Sequence, residues 1–276
     1  MIKRILVGLG GTPFTKAATQ WATELGDLHQ AQLTGVTIVN TKKLENVGPV
    51  PAGAGAYAQR MREKKVQVTK EGTEQAIAVF KEHCSNQQVV CRRIQYEQGD
   101  TFEAMIDEDR FNDLTIFGLR SIFEYGFVTD PDKAIIKLLR QGVRPILAVA
   151  ENYRPVKNVL VALSGSMESA RATRDYLLLN PWPGAAIRLV HFTKHKEPEP
   201  FLLEKAADYC QAHGFEVDTD LVEGNPRSDL LSFAHDHDAD LIVMGNSSRN
   251  ILQRSLLGDT VLETIHSADI PLFLSQ

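Results

Sequence analysis

The chain has 276 residues, 43% hydrophobic and 24% charged, enough apolar content for one large or two ordinary cores and unlike a disordered chain or a coiled coil. A formal net charge of −5 with no long basic stripe argues against a sequence-independent grip on nucleic acid, which rests on many Lys and Arg contacts to phosphate. The opening MIKRILVGLGG is too brief for a signal peptide, and no apolar run reaches the roughly 18 residues of a membrane helix, so a cytoplasmic protein with no membrane partner is expected.

In chain order, IKRILVGL (residues 2–9) reads as a buried strand, and Ala17, Ala18, Trp21, Ala22 and Leu25 mark one face of the helix that follows. Beyond the second strand comes an insertion at about 41–70. Its NVGPVPAGAGAY (46–57) predicts a mobile loop and its RMREKK (60–65) a solvated helix, with a flap over a site or a partner surface as the other reading. YEQGDTFEAMI (96–106), the strand DLTIFGLRS (113–121), a helix bearing Ile135, Leu138 and Leu139, and the strand VRPILAVA (143–150) complete the first half. After the polar link Glu151–Pro155 the same order returns: VKNVLVAL (156–163), a helix face of Ala170, Thr173 and Leu177, LVEGNPRSDLL (221–231), DLIVMGNSS (240–248), a helix with Val261, Leu262 and Ile265, and DIPLFLSQ (269–276). Short buried strands alternating with helices are the pattern of parallel β-α-β units. The expected fold is therefore α/β: two tandem doubly wound domains, 1–152 and 153–276, each with a mainly parallel five-stranded sheet flanked by helices.

Chemical constellations are few. Cys84, Cys91 and Cys210 show neither an even count nor a C-x-x-C spacing, so they read as buried or partly buried thiols rather than a disulfide framework or zinc site. Cys84 and Cys91 are candidates for redox sensitivity, although nothing near them in sequence lowers a thiol pKa. AHDHDAD (234–240) offers His235, Asp236, His237 and Asp238, but residues two apart on a helix diverge, which favours a polar helix end over a metal site. His191 and His195 lie on a strand running into a loop, where a four-residue spacing has no helical meaning. SGSMES (164–169) is similar to the S-G-G-x-D-S loop of ATP pyrophosphatases, with Ser166 and Glu168 as departures.

The aligned segments carry a broader resemblance. ILVGLGGTPFTKAATQWATELG, VLVALSGSMESARATRDYL and, above all, VEGNPRSDLLSFAHDHDADLIVMGNSSRNILQRSLLGDTVLETIHSADIPLFL present a Gly-x-Pro turn, an Ala-Asp pair before an apolar strand, a glycine loop and a Pro-containing final strand. Over nearly its whole length the chain resembles a tandem universal stress protein. For the ATP-binding branch of that family the resemblance implies a loop of Gly, two residues, Gly, nine residues, Gly and a small hydroxyl residue, with an Asp after the first strand helping to place the nucleotide.

Several positions depart from that loop. In the second half Gly245 and Gly258 match, Ser248 replaces the middle glycine, Asp259 stands at the hydroxyl position with Thr260 beyond it, and Ser164 replaces the Asp; the backbone near Phe192 would lie toward the base. In the first half Gly118 matches, while Gly10, Ser121, Pro131 and Asp132 occupy the other positions. Phosphate at a helix start is held by unpaired amides and the helix dipole. Asp259, as an N-cap, would fill those amides itself. Two unit charges ~5 Å apart at an effective dielectric of ~20 also repel by about 3 kcal/mol. Pro131 withholds an amide outright. Arg249 and Arg254, with hydroxyls from Ser247, Ser248 and Ser255, are the candidates to recover phosphate affinity.

These features point to a non-catalytic stress-response protein acting as a regulatory or ligand-sensing module. The alternatives are an ATP or AMP sensor using the second half, with slow hydrolysis, and then an adenylating enzyme. No cofactor is required by the first reading; ATP with Mg²⁺ in the second domain is the candidate cofactor. The resemblance further implies pairing of the two domains through their last strands, with a homodimer and a small-molecule or protein regulator left open.

Overall fold

The computed structural model describes residues 1–38, 55–96, 101–118, 145–193, 200–245 and 259–275. The first half provides β1 (Arg4–Leu9), α1 (Pro13–His29), β2 (Gln32–Ile38), α2 (Gly55–Asn86), β3 (Cys91–Tyr96), α3 (Thr101–Asp109), β4 (Leu114–Phe117) and β5 (Ile146–Ala148). The second provides β6 (Asn158–Leu163), α4 (Met167–Leu179), β7 (Ala186–Thr193), α5 (Pro200–Ala212), β8 (Val217–Glu223), α6 (Pro226–Asp236), β9 (Leu241–Gly245), α7 (Asp259–Ser267) and β10 (Leu272–Ser275). The segments carrying Ile135, Leu138, Leu139 and His195 lie outside the described residues, as does the loop at 46–54.

Among the described residues the strands form one sheet in the order β3-β2-β1-β4-β5-β10-β9-β6-β7-β8. Every neighbouring pair is parallel except β5 and β10, which run antiparallel with Leu272 opposite Ala148, Phe273 opposite Leu147 and Leu274 opposite Ile146. The fold is thus α/β with two doubly wound, Rossmann-like halves. Their two half-sheets are continuous, so the strands at the join have no bare edge.

Strand sequences such as RILVGL and NVLVAL are aliphatic on both faces because helices cover both. One face of the sheet packs against α1, α2, α4 and α5 around Trp21, Phe80, Tyr176 and Cys210; the other packs against α3, α6 and α7 around Met105, Leu230 and Ile265. From Gly55 onward the insertion becomes part of a single helix: α2 runs through RMREKK, where the described side chains Arg60, Met61, Glu63 and Lys64 are exposed, and among its described side chains buries Thr73, Ala76, Ile77, Phe80 and Cys84 only in its second half.

A latch on α1 joins the halves. The Glu24 carboxylate accepts hydrogen bonds from the Tyr153 hydroxyl (2.7 Å) and from Trp182 Nε1 (3.0 Å). Trp21 Nε1 donates to the Arg154 carbonyl at 3.1 Å, and its ring lies 5.2 Å from that of Tyr153. The short polar link is therefore bound to α1 rather than left as a free tether.

Candidate functional site

In a doubly wound sheet the crevice opens at the carboxyl ends of the strands, where the strand order reverses. In the second half that point lies between β6 and β9, since β7 and β8 lie on the other side of β6. The residues there are Ser164, Gly165 and Ser166 after β6, and Gly245 at the end of β9.

Gly165 has φ +76°, as its counterpart Gly11 has φ +67° after β1; the left-handed backbone turns each strand into the helix behind it, and glycine adopts it without strain. The turn lets Ser166 cap α4, its Oγ accepting from the Ser169 amide at 3.2 Å. Ser164 Oγ donates to Ser166 Oγ at 2.9 Å, the Ser164 amide donates to Ser169 Oγ at 3.3 Å, and Ser169 Oγ donates to the Ser166 carbonyl at 2.9 Å. In SGSMES the three serines are thus bonded to one another, and the Ser164, Ser166 and Ser169 amides already have acceptors within the turn.

Gly245 faces the same turn. A Cβ there would stand 2.3 Å from the Glu168 carbonyl carbon and 2.4 Å from the Ser169 amide nitrogen. Gly118 is its counterpart, where a Cβ would stand 2.5 Å from Phe14 Cβ in the first turn of α1. Both glycines are required by the close seating of a helix, whatever the crevice holds.

The other expected site residues spread out. Phe192 is half-buried on β7, with its ring on the opposite face of the sheet, 5.9 Å from that of Phe233 on α6. Thr260 is half-buried in the first turn of α7, its carbonyl accepting from Thr264 Oγ1 at 2.6 Å. Asp259 is the first helical residue of α7, one position inside the cap that the sequence suggested. Ser248 and Gly258 lie outside the described residues, as do the Asp259 side chain, Ser247, Arg249, Arg254, Ser255, Ser121, Pro131 and Asp132. The structure therefore brings Ser164 and Gly245 together through Ser169; the Phe192 ring packs on the other face, while its backbone follows His191, the register partner of Leu163.

Two contributors lie outside the site read from the sequence, one of them a histidine that the sequence reading had set aside. His191 donates from Nδ1 to the Leu163 carbonyl at 2.7 Å, just before Ser164; strand register, which aligns Leu163 with His191, was the missing information. That bond selects the tautomer whose Nε2 is an acceptor. The other is a concavity of about 650 Å³ in the first half, where Lys16 and Gln20 of α1 face Gln75 and Val79 of α2 beneath Asn152 and Tyr153 of the link.

The halves also differ at the crevice itself. Beside Gly11 runs the backbone of α2, so that a Cβ on Gly11 would lie 2.8 Å from the Gly72 carbonyl carbon. Among the described residues the corresponding atom on Gly165 would meet only Leu202 Cδ2, at an ordinary 3.6 Å. The long helix thus packs directly against Gly11, at the edge of the concavity between α1 and α2.

Other motifs have structural duties. His235 lies 3.1 Å from Asp269, and His237 stacks on Phe233 with ring centroids 4.0 Å apart. Asp240 accepts from the Lys157 and Asn158 amides, both at 3.0 Å, and Asp113 accepts from those of Lys3 and Arg4 at 2.8 and 3.0 Å. In the Gly-Asn-Pro turn, Asn225 Oδ1 accepts from the Arg227 amide, while Asp229 accepts from the Asn225 amide at 2.8 Å and from Ser228 Oγ at 2.6 Å. Those two donors hold the Asp229 carboxyl below its ordinary pKa.

A family model described as the universal stress protein family matches residues 1–116 and again 155–275. The chain belongs to the universal stress protein family. Among curated relatives, a universal stress protein of Methanocaldococcus jannaschii is 33% identical over 79 residues, covering 29% of this chain and 46% of that protein. The chain thus matches about half the length of that relative. A universal stress protein structure from Archaeoglobus fulgidus superposes with a TM-score of 0.64 at 16% identity, over 99% of this chain and 96% of that one. A functionally unknown protein from Pseudomonas aeruginosa PAO1 gives 0.60 at 15% identity, over 99% and 92%. At these identities the likeness shows the tandem fold of this universal stress protein and nothing finer. Among its described residues no helix is long and apolar enough to cross a membrane.

Proposed function

We propose that this universal stress protein is a non-catalytic, cytoplasmic regulatory or ligand-sensing module, with its second half as the sensing half and a weakened grip on nucleotides. The observation that supports it is the serine cluster. Ser164 stands where the family resemblance calls for an Asp, and its hydroxyl is spent on Ser166. Ser166 in turn satisfies the Ser169 amide at the start of α4, so position 164 offers a nucleotide no carboxylate and that amide is already taken. In the first half Gly10 stands where the resemblance calls for that Asp, so the same argument applies there. A small-molecule or protein regulator, acting on the monomer or on a homodimer, completes this reading.

Calorimetric titration with ATP and Mg²⁺, and with AMP, tests it. The natural protein is expected to bind weakly or not at all. The double variant Ser248→Gly with Asp259→Ser would free the start of α7 and remove a negative charge; a gain of ~2.7 kcal/mol would tighten binding about a hundredfold. Tight binding by the natural protein would instead establish the second reading, an ATP or AMP sensor built around Ser164, Phe192, Gly245, Ser248, Gly258, Asp259 and Thr260. Turnover of the bound nucleotide would then separate slow hydrolysis or adenylation from sensing. Mass spectrometry of small molecules retained through purification gives an independent check.

A further inference from the structure

Cys84 and Cys91 are separated by a compact turn that brings the chain from α2 back to the sheet. The Gln87 amide donates to the His83 carbonyl, Gln88 to Ser85 and Val89 to Cys84, at 3.1, 3.2 and 2.9 Å, and Gln88 takes a left-handed φ of 55°. Strand β3 then enters in register with β2, Cys91 opposite Leu33. Partners in a parallel ladder project to the same face of the sheet. Leu33 belongs to the apolar cluster that contains Cys84, so Cys91 faces α2 on the same side of the sheet as Cys84, near enough to affect the ionisation of that thiol. Their exposures differ: Cys84 is buried and Cys91 is exposed on the edge strand, not partly buried as its sequence suggested. Two neighbouring thiols, one open to solvent and one shielded, are the arrangement of an attacking and a resolving cysteine.

We infer that Cys84 and Cys91 form a hydroperoxide-responsive modification site, in which Cys91 meets the oxidant and Cys84 resolves it into an intramolecular disulfide. In the first step the Cys91 thiolate attacks one oxygen of hydrogen peroxide. The S–O bond forms, the O–O bond breaks, and the departing hydroxide is protonated to water, leaving a sulfenic acid. In the second step Cys84 Sγ attacks Cys91 Sγ; the S–O bond breaks, and the departing hydroxide takes the proton from the Cys84 thiol. Two thiols lose two electrons in all, and one peroxide becomes two waters. Burial, with Cys91 beside it, pushes the Cys84 thiol up to about 12, so Cys84 is the poorer first nucleophile and the exposed Cys91 meets the oxidant first. The product ties the last turn of α2 to the edge strand β3, and a thiol reductant reverses it.

The third cysteine supplies an internal control, since Cys210 is buried on α5 in the other half. The full-length protein is treated with hydrogen peroxide, unfolded and assayed for free thiols, and its peptides are mapped by mass spectrometry. Two of the three thiols should disappear together, with the Cys84 and Cys91 peptides joined at the cost of two hydrogens, and dithiothreitol should restore both. In Cys84→Ser, Cys91 should stop at a sulfenic acid that dimedone traps; in Cys91→Ser, Cys84 should survive the same dose. Persistence of all three thiols in the natural protein overturns the inference. So does oxidation of Cys91 with Cys84 left free, or bridging between molecules in place of the internal bond.

Discussion

Gly245 occupies a position where the smallest side chain would strike the first turn of α4, and the atoms in its way are backbone, which cannot rotate aside. Gly245→Ala is therefore expected to destabilise the ligand-free protein by about 1–3 kcal/mol or more, the usual cost of overpacking. Urea unfolding without nucleotide measures this; unchanged stability with altered ligand binding alone would return Gly245 to a purely phosphate-binding role. Asp240 is a second residue whose duty emerged only in the fold. Its carboxylate holds the two amides that begin β6, as Asp113 does for β1. Asp240→Ala should cost about 1–2 kcal/mol, with Asp240→Asn retaining part of the loss, because charge-assisted bonds to amides are the stronger class. Equal stability of the alanine variant and the natural protein in urea titrations would show the clamp to be idle. Both residues were conspicuous in the repeat, and the repeat alone could not say why. It aligns glycine with glycine and aspartate with aspartate, whereas the reason for each lies across the fold, in the first turn of α4 and at the start of the neighbouring strand.

Helix α2 changes character along its length. Its described side chains before Gly72 are exposed, including the large apolar Tyr57, Met61 and Val68, and burial begins at Thr73. Backbone bonds of a helical stretch that is not packed on a core open locally far more readily than those of a packed one. Amide hydrogen exchange should therefore be fast before Gly72 and slow around Ile77, Phe80 and Cys84, with the step near Gly72. Uniform protection from Gly55 onward would mean that the exposed half is covered in solution, and would contradict this gradient. Charged RMREKK identified a solvated segment, but the unbroken course of the helix was less legible, because Gly55 and Gly72 are both weak helix formers. Gly72 is tolerated for a tertiary reason, the close passage of α2 over Gly11. The strand–helix alternation was legible from buried aliphatic runs, whereas the spatial order of the strands came only with the fold. The serine cluster was legible only as a likeness to the pyrophosphatase loop, since the direction of its hydroxyls follows from the left-handed turn at Gly165.

At the scale of the whole molecule, burial raises the pKa of acids in both halves. The Cys210 thiol is pushed up to about 11 and Cys84 to about 12, and the Tyr153 and Tyr176 hydroxyls are also pushed up, chiefly by burial. Below their ordinary values, 9.0 for the thiols and 10.0 for the phenols, folded and unfolded chains hold these protons equally and the stabilising contribution is whole. As pH rises further the unfolded chain releases them first, so it binds fewer protons and stability falls. Unfolding titrations in reductant should show a steady loss from about pH 9 upward; a flat or rising profile to about pH 11 would contradict the assignment.

The join between the halves makes the last and broadest demand. Leu147 and Phe273 face each other where β5 meets β10, Phe273 lies edge-on to Tyr176 of α4 at 5.5 Å, and Glu24 binds both the link and the loop at Trp182. If either half unfolds, it exposes the partner's last strand as a bare edge and strands the donors that Glu24 had satisfied. The natural protein should therefore melt in one transition whose calorimetric and van't Hoff enthalpies agree for the full chain. Glu24→Ala leaves the Tyr153 hydroxyl and Trp182 Nε1 without their acceptor, at about 1–3 kcal/mol for each unsatisfied buried donor, and should lower that single transition as a whole. A natural protein that melts in two steps, or a Glu24→Ala variant in which only one half loses stability, would show that the halves share a sheet without sharing their stability.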